Sequence, residues 1–153
     1  MFAKDIMTKE VLTVKPDMSI RDLADFLVKN KISGVPVVDD GNKVIGIVTE
    51  NDLIRQNVPL HIPTVITILD SFFYLGSPKN FEEELNRMVA ATVSDLCTKK
   101  VISVEENTPV KKIANIMESG KAGHLIPVVE NGKIVGIIGK ADIVRAIAKG
   151  DID

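Results

Sequence analysis

The sequence of 153 residues predicts an α/β fold of the α+β type. Two related β-α-β-β-α repeats are expected to pack through their sheets about a pseudo-twofold axis, with a helical insert between them. The first observation is that VIGIVTENDLIR (44–55) and IVGIIGKADIVR (134–145) match at an offset of ninety residues, with four identical positions and five aliphatic exchanges. The second is that the match extends back to 5–14 facing 95–104 and to 18–38 facing 108–129. The third is that each copy alternates between helical and strand-like apolar spacing.

These matches predict boundaries for three segments. Copy one is expected to span residues 1–57, the insert 58–92 and copy two 93–153. Because a repeat of about 55 residues buries little apolar surface by itself, the two copies are expected to pack together and leave a cleft between related surfaces.

Each copy is predicted to open with a short strand and a helix. The β-rich runs are VLTV (11–14) and VISV (101–104). Ser19 and Thr108 have the residue types of helix N-caps, and Pro109 is placed at the first helical position, where its missing N–H costs nothing. Apolar residues then recur at helical spacing at Ile20, Leu23, Ala24 and Leu27 in copy one, and at Val110, Ile113, Ala114 and Met117 in copy two.

A hairpin and a second helix complete each copy. VPVVDDGNKVIGIV (35–48) and IPVVENGKIVGII (126–138) are apolar runs around an Asp/Asn–Gly turn, a strong hairpin signal. Their nearly continuous apolar residues predict strands that are buried on both faces. The last helices are expected at 51–57 and 141–149, the second ending at Gly150.

The insert has its own helical patterns. Residues 64–75 (TVITILDSFFYL) are apolar enough for a helix packed on protein, closed by Gly76. A capping-box-like start at 80–83 precedes an apolar stripe that ends at Val89. We therefore predict a helical hairpin over 64–89 that covers the module or meets a partner.

Composition excludes several classes of function. A net charge of −2, no tryptophan and six aromatic residues argue against a nucleic-acid surface. The single cysteine, Cys97, cannot form an intramolecular disulfide, and no apolar run approaches the length of a membrane span. The first residues lack the apolar core of a signal peptide, so a cytoplasmic location is expected. His61 and His124 show no metal-ligand spacing, and no P-loop or nucleophile motif is present.

The repeated pattern resembles the cystathionine β-synthase (CBS) domain, which usually occurs as a tandem pair called a Bateman module. The matching features are the strand Ser33–Val38, the Asp-Gly hairpin and the G-h-h-T-x-x-D segment 46–52, where h is an apolar residue. Copy two keeps the Ile-Pro-Val-Val strand at 126–129, the turn and the segment 136–142. Together the copies cover about 115 of the 153 residues.

The resemblance implies a non-enzymatic module that binds adenosine-containing ligands such as AMP, ADP, ATP, S-adenosylmethionine or NAD-type dinucleotides. No obligatory cofactor is expected. In the family pattern the aspartate accepts hydrogen bonds from the ribose hydroxyls, the threonine contacts phosphate, and the base lies in an apolar slot beside the strand with the proline. The implied ligand-binding residues are Thr13, Ile32, Ser33, Val35, Pro36, Thr49 and Asp52 in copy one, and Ser103, Ala122, His124, Ile126, Pro127, Gly139, Lys140 and Asp142 in copy two.

Several of these roles have a structural alternative. Thr49 and Asp52 also form the S/T-x-x-D pattern of a capping box, which a helix start uses without any ligand. In copy two Gly139 replaces the threonine, so the two sites are expected to differ, and Lys140 could bind phosphate as a point charge or lie on the solvated surface. His124 could lie beside the base or be a solvated histidine.

The sequence therefore favours a regulatory energy sensor, a homodimer that acts on an unidentified protein partner when an adenine nucleotide binds. An interaction scaffold that uses the helical insert, with vestigial pockets, is the alternative. A nucleic-acid-binding function is disfavoured by the charge and the few aromatic residues.

Overall fold

A computed structural model of the protein describes residues 1–57 and 91–150. The helices and strands in this part follow in the order α1 (Ala3–Ile6), α2 (Ile20–Asn30), β1 (Gly34–Val38), β2 (Val44–Thr49), α3 (Glu50–Asn57), α4 (Val93–Leu96), α5 (Val110–Glu118), β3 (Leu125–Glu130), β4 (Lys133–Gly139) and α6 (Lys140–Ala148). Helices and small two-stranded sheets confirm the predicted α+β class. The helical hairpin predicted over 64–89 lies outside the described residues.

The prediction of strands at 11–14 and 101–104 is wrong. Each run contributes a single parallel bridge, Val14 to Val37 and Val104 to Val128. Val14 donates its N–H to the Pro36 carbonyl (3.1 Å), and Val104 donates to the Pro127 carbonyl (3.0 Å). A proline has no N–H to donate in return, so a longer ladder would lack a bond at that point.

The helix caps agree with the sequence in copy one only. The Ser19 hydroxyl accepts the Asp22 N–H at 3.0 Å, which confirms the predicted N-cap. Thr108 is not an N-cap, because its hydroxyl accepts the Glu105 N–H at 3.1 Å in the preceding turn. Pro109 takes the N-cap position instead and α5 begins at Val110.

The hairpin turns form as predicted, with different residues in the left-handed conformation. In copy two Asn131 and Gly132 have φ of 52° and 79°, and Glu130 pairs with Lys133 around them. Positive φ at both central residues is the requirement of a type I′ turn, which asparagine and glycine meet at low cost. In copy one the longer turn places only Asn42 at positive φ (62°), and the Asp39 carboxylate accepts the N–H groups of Gly41 and Lys43.

The prediction that the strands are buried on both faces is confirmed for the first strand of each hairpin and is wrong for the second. Every residue of β1 is buried, as are Ile126, Pro127 and Val128 of β3. In β2 and β4 the burial alternates along the strand, and Ile45 is exposed. The second strands therefore have one face outside the core.

The described chain divides into two compact units that do not follow the repeat boundaries. The first contains Met1–Lys15, Val35–Ile47 and Thr98–Asp153, and the second contains Pro16–Gly34 and Val48–Cys97. The predicted boundaries at 57 and 93 remain predictions.

In the first unit, the start of copy one is bonded to copy two. The Ala3 N–H donates to the Thr108 carbonyl at 2.8 Å, and Thr8 and Ile137 exchange hydrogen bonds of 2.9 and 3.0 Å. Ala3 is fully buried in a core that also contains Val104, Val110, Ile113, Ile126, Val128, Ile138, Ile143 and Ala146.

In the second unit, the start of copy two is bonded to copy one. Val93 donates its N–H to the Met18 carbonyl at 2.9 Å, and Ile20 donates to the Ala91 carbonyl at 3.3 Å. Val93 is fully buried, as are Leu23 and Val48. The N-terminal segments of the two copies are thus exchanged.

Among the described residues, no helix combines the length and the apolar character needed to cross a membrane. The cytoplasmic location remains a prediction.

Candidate ligand-binding site

The two aspartates of the repeated segment lie in the first turns of α3 and α6. Oδ2 of Asp52 accepts the Thr49 N–H at 2.8 Å and the Thr49 hydroxyl at 3.2 Å. Oδ2 of Asp142 accepts the Gly139 N–H at 2.8 Å. Each carboxylate therefore satisfies an N–H at the start of its own helix, as the capping alternative requires.

The same contact occurs at the starts of α1 and α4. Oδ2 of Asp95 accepts the Thr92 N–H at 2.9 Å and the Thr92 hydroxyl at 3.3 Å, and Asp5 accepts the Phe2 N–H at 2.8 Å. Because Thr92 and Asp95 reproduce the geometry of Thr49 and Asp52, this geometry alone does not distinguish a ligand site from a helix cap.

The two candidate carboxylates differ in their second partner. In copy one it is the Thr49 hydroxyl, which copy two lacks. In copy two it is Arg145, whose guanidinium nitrogen lies 3.3 Å from Oδ1 of Asp142. The Asp142 side chain is 11% exposed and that of Arg145 is 71% exposed, so the ion pair has one partly buried and one solvated member.

In copy two the end of β4 and the start of β3 bring several predicted residues together. Leu125 pairs with Gly139, and Ile126 pairs with Ile138. A Cβ built on Gly139 would lie 3.7 Å from Oδ2 of Asp142 and 3.9 Å from the His124 carbonyl oxygen. The His124 backbone and the Asp142 carboxylate therefore flank the helix start, while Lys140 is exposed in the first turn of α6.

Ser103 lies at the other edge of β3. Its neighbour Val104 is bonded to both Pro127 and Val129, so β3 runs between the segment with Ser103 and strand β4. Ser103 is exposed and Ala122 is half-buried.

In copy one the predicted residues fall in both compact units, and each is described within its own. In the second unit the Glu50 N–H donates to the Ser33 carbonyl at 2.8 Å, which places Ser33 beside the start of α3. Ile32, half-buried, donates its N–H to the Leu27 carbonyl. In the first unit Thr13 is half-buried and precedes the bridge residue Val14.

Four predicted contact residues have core positions. Val35 and Ile126 expose none of their surface, and Pro36 and Pro127 are buried. Contact between these four residues and a ligand remains a prediction.

A depression adjoining Asp142 contains residues that the sequence did not single out. It has a volume of about 190 Å³ and is lined by Met1, by Asp5 and Ile6 of α1 and by Asp142, Arg145, Ala146 and Lys149 of the last helical segment. The identity of Arg55 and Arg145 and the Asp–Arg spacing of three were the available signals for Arg145. Asp5 had none, because it reaches copy two only through the exchange of segments.

Metal binding has no support in the described ranges 1–57 and 91–150. No group of three or more histidine, cysteine, aspartate or glutamate side chains there is arranged to hold a metal ion.

A comparison with protein-family models decides the family. The CBS-domain model matches the chain twice, over residues 3–58 and 93–149. The chain belongs to the CBS-domain family. It is a tandem CBS pair, as the resemblance implied.

Relatives of the CBS pair include protein MJ1426 of Methanocaldococcus jannaschii, which is 27% identical over 154 residues, covering 96% of this chain and 91% of that protein. The chloroplastic protein CBSX2 of Arabidopsis thaliana is 29% identical, and the match spans 93% of this chain but only 61% of CBSX2.

Solved structures agree with the fold. The structure of CBSX2 in complex with AMP aligns with a TM-score of 0.74 and 25% identity over 97% of this chain and 96% of that one. The CBS pair of protein MJ0100, in complex with 5′-methylthioadenosine and S-adenosyl-L-methionine, aligns with a TM-score of 0.72 and 25% identity over 98% of both chains.

Proposed function

We propose that this CBS pair is a non-catalytic regulatory module that binds an adenosine-containing ligand. The observation that carries the proposal is the Asp142 carboxylate, held by the Gly139 N–H at the start of α6 and adjoining a depression. The similarity to CBS pairs solved with AMP and with S-adenosyl-L-methionine supports the ligand class.

The capping contacts leave carboxylate lone pairs free to accept hydrogen bonds from a ribose. An ionised carboxylate offers about four lone-pair sites. Asp52 uses only Oδ2 in its contacts with Thr49, and Asp142 uses Oδ2 for Gly139 and Oδ1 for Arg145. A cis-diol can therefore donate two charge-assisted hydrogen bonds to either carboxylate without breaking the cap.

The two helix starts suit different ligands. Free N–H groups at a helix start favour an anion, and copy one adds the Thr49 hydroxyl as a donor. Copy two has no hydroxyl at Gly139, and its Lys140 is exposed. We propose that copy one holds the phosphorylated ligand of the pair.

The proposed output is a change in assembly. A ligand regulates only if it binds two states of the module with different affinity. Val144 and Ile147 of α6 are 62% and 59% exposed, and their burial against a second copy would support the expected homodimer.

The ligand proposal is tested by a thermal-shift panel of AMP, ADP, ATP, S-adenosylmethionine and NAD on the full chain. A ligand at a hundred times its dissociation constant adds about 2.7 kcal/mol to the stability of the folded state. If no member shifts the melting temperature at millimolar concentration, the proposal fails and the scaffold alternative gains support.

The role of the carboxylate is tested by a matched pair of variants. Asp52→Ala and Asp95→Ala each remove one carboxylate that accepts from a threonine N–H and hydroxyl. We expect both to lower stability by about 0.5–2 kcal/mol. Only Asp52→Ala should weaken nucleotide binding, by about tenfold or more, the worth of one charge-assisted hydrogen bond. Equal affinity in the two variants would refute the ribose role of Asp52.

A further inference from the structure

Four residues on one face of the last helical segment line the depression beside Asp142, which is called the hollow below. Asp142, Arg145, Ala146 and Lys149 are spaced by three, four and seven residues, so they share one face. Ala146 is only 2% exposed and sits against α1, where a larger side chain would fill the space. The small residue therefore leaves a hollow between charged neighbours.

The charges around this hollow are mixed. Arg145 uses one nitrogen on Asp142, and its mostly exposed guanidinium keeps other N–H donors for a ligand. Lys149 has no ion-pair partner among the described residues, whose ion pairs are Lys15–Asp40 and Arg145–Asp142. Asp5 accepts the Phe2 N–H through Oδ2, which leaves its Oδ1 as an acceptor.

The size of the hollow limits what it can hold. Pockets that enclose a whole small-molecule ligand usually have volumes of about 300–1,000 Å³. At about 190 Å³ the hollow suits one chemical group of a ligand whose remainder lies outside it.

We infer that the hollow is a subsite for a zwitterionic amino-acid group carried by an adenosine ligand, an inference that rests on the proposed function. The ribose binds Asp142, the ligand carboxylate binds Arg145 and Lys149, and the ligand ammonium binds Asp5. A phosphate dianion is a poorer occupant, because the Asp5 and Asp142 carboxylates repel it. Only a ligand group with both a positive and a negative charge can pair with the carboxylates and the cations around the hollow.

The subsite belongs to copy two. At the positions that correspond to Ala146 and Lys149, copy one has Gln56 and Pro59, although it keeps Arg55. Copy one therefore lacks two of the residue types that line the hollow, so the S-adenosyl class of ligand binds in copy two.

Isothermal titration calorimetry of the full chain tests the subsite with S-adenosylhomocysteine, 5′-methylthioadenosine and AMP. The first two share the thioether and the adenosine but only the first has the amino-acid group. We expect S-adenosylhomocysteine to bind about tenfold more tightly than methylthioadenosine, the gain from two or three exposed charge-assisted contacts.

Variants of the lining residues test whether the difference in affinity arises in the hollow. Lys149→Ala and Asp5→Asn should each weaken S-adenosylhomocysteine about three- to tenfold and change methylthioadenosine less than about twofold. Asparagine keeps an acceptor for the Phe2 N–H, so the helix start is preserved. Lys111→Ala, which changes an exposed lysine of α5 that does not line the hollow, is the matched control and should change neither ligand.

The outcomes separate the two proposals. Equal affinity for S-adenosylhomocysteine and methylthioadenosine, or equal weakening of both by Lys149→Ala, overturns the subsite and leaves the proposed function intact. If none of the three ligands gives a binding signal and no member of the nucleotide panel shifts the melting temperature, both the subsite and the proposed function are overturned. Selective loss of S-adenosylhomocysteine in both variants supports the subsite.

Discussion

Gly136 in β4 should not tolerate a side chain. A Cβ built there would meet the Met7 side chain, lying 2.8 Å from its Cγ and 3.1 Å from its Cβ and closer still to its sulfur. The thioether can rotate away, but the Met7 Cβ is fixed by its backbone. That backbone is bonded on both sides, from Met7 N–H to the Ala3 carbonyl and from Thr8 N–H to the Ile137 carbonyl, each at 2.9 Å.

We therefore expect Gly136→Ala to destabilise the protein as an overpacked core does, by about 1–3 kcal/mol. For a chain of this size 1 kcal/mol corresponds to about 2–4 °C in melting temperature, so the expected loss is about 2–12 °C. Urea denaturation followed by circular dichroism gives the same free energy independently of the thermal scan.

Gly139→Ala is the matched control in the same strand. The nearest atoms to its built Cβ are at 3.7 Å, an ordinary contact, and its φ of −106° suits any residue. A gain of about 0.4–1 kcal/mol from the less flexible unfolded chain should roughly offset the poorer N-cap.

Met7→Ala completes a double-mutant cycle, because it removes the Cγ and sulfur that the new methyl would strike. The double variant with Gly136→Ala should be more stable than the sum of the single losses by about 1 kcal/mol. Additive losses, or a Gly136→Ala variant as stable as Gly139→Ala, would refute the assigned contact.

Three further predictions concern the caps and the surface. Ser19→Ala should cost about 1 kcal/mol in urea denaturation, and Thr108→Ala clearly less, since only Ser19 caps a helix; equal losses would contradict this difference. Gly139→Thr should restore the hydroxyl of copy one and strengthen AMP binding in calorimetry without loss of stability, because a Cβ at this position makes only ordinary contacts; a fall in melting temperature would contradict this expectation. Asp40→Asn should leave the melting temperature within about 2 °C of wild type, because its ion pair with Lys15 is exposed; a larger drop would show that the exposed pair matters.

Local interactions explain what could be predicted from the sequence. The Ser19 cap, the Asn131-Gly132 turn and the carboxylates at the helix starts each depend on residues within four positions of one another. Residue type and spacing therefore decide them before the chain has folded. The tandem repeat and its family follow in the same way, from patterns that are complete within each copy.

Long-range hydrogen bonds explain which features could not be predicted from the sequence. The runs 11–14 and 101–104 have strand-like residues, but Pro36 and Pro127 have no N–H for the next hydrogen bond of each ladder, so the pairing is limited to the bonds of Val14 and Val104. In the same way Thr108 has the residue type of a cap, yet the pairing of Phe2 with Pro109 delays the helix by one position.

The candidate site divides along the same line. The sequence by itself determined that an aspartate begins the last helix of each copy, because the repeat and the helix start are both local patterns. Only the tertiary structure decided that Asp5 and Asp142 line the same depression, because the N-terminal segments are exchanged between copies that share one pattern. A repeat matches its own segment and its twin's equally well, so spacing cannot choose between them; hydrogen bonds such as Ala3 to Thr108, formed over more than a hundred residues, make that choice.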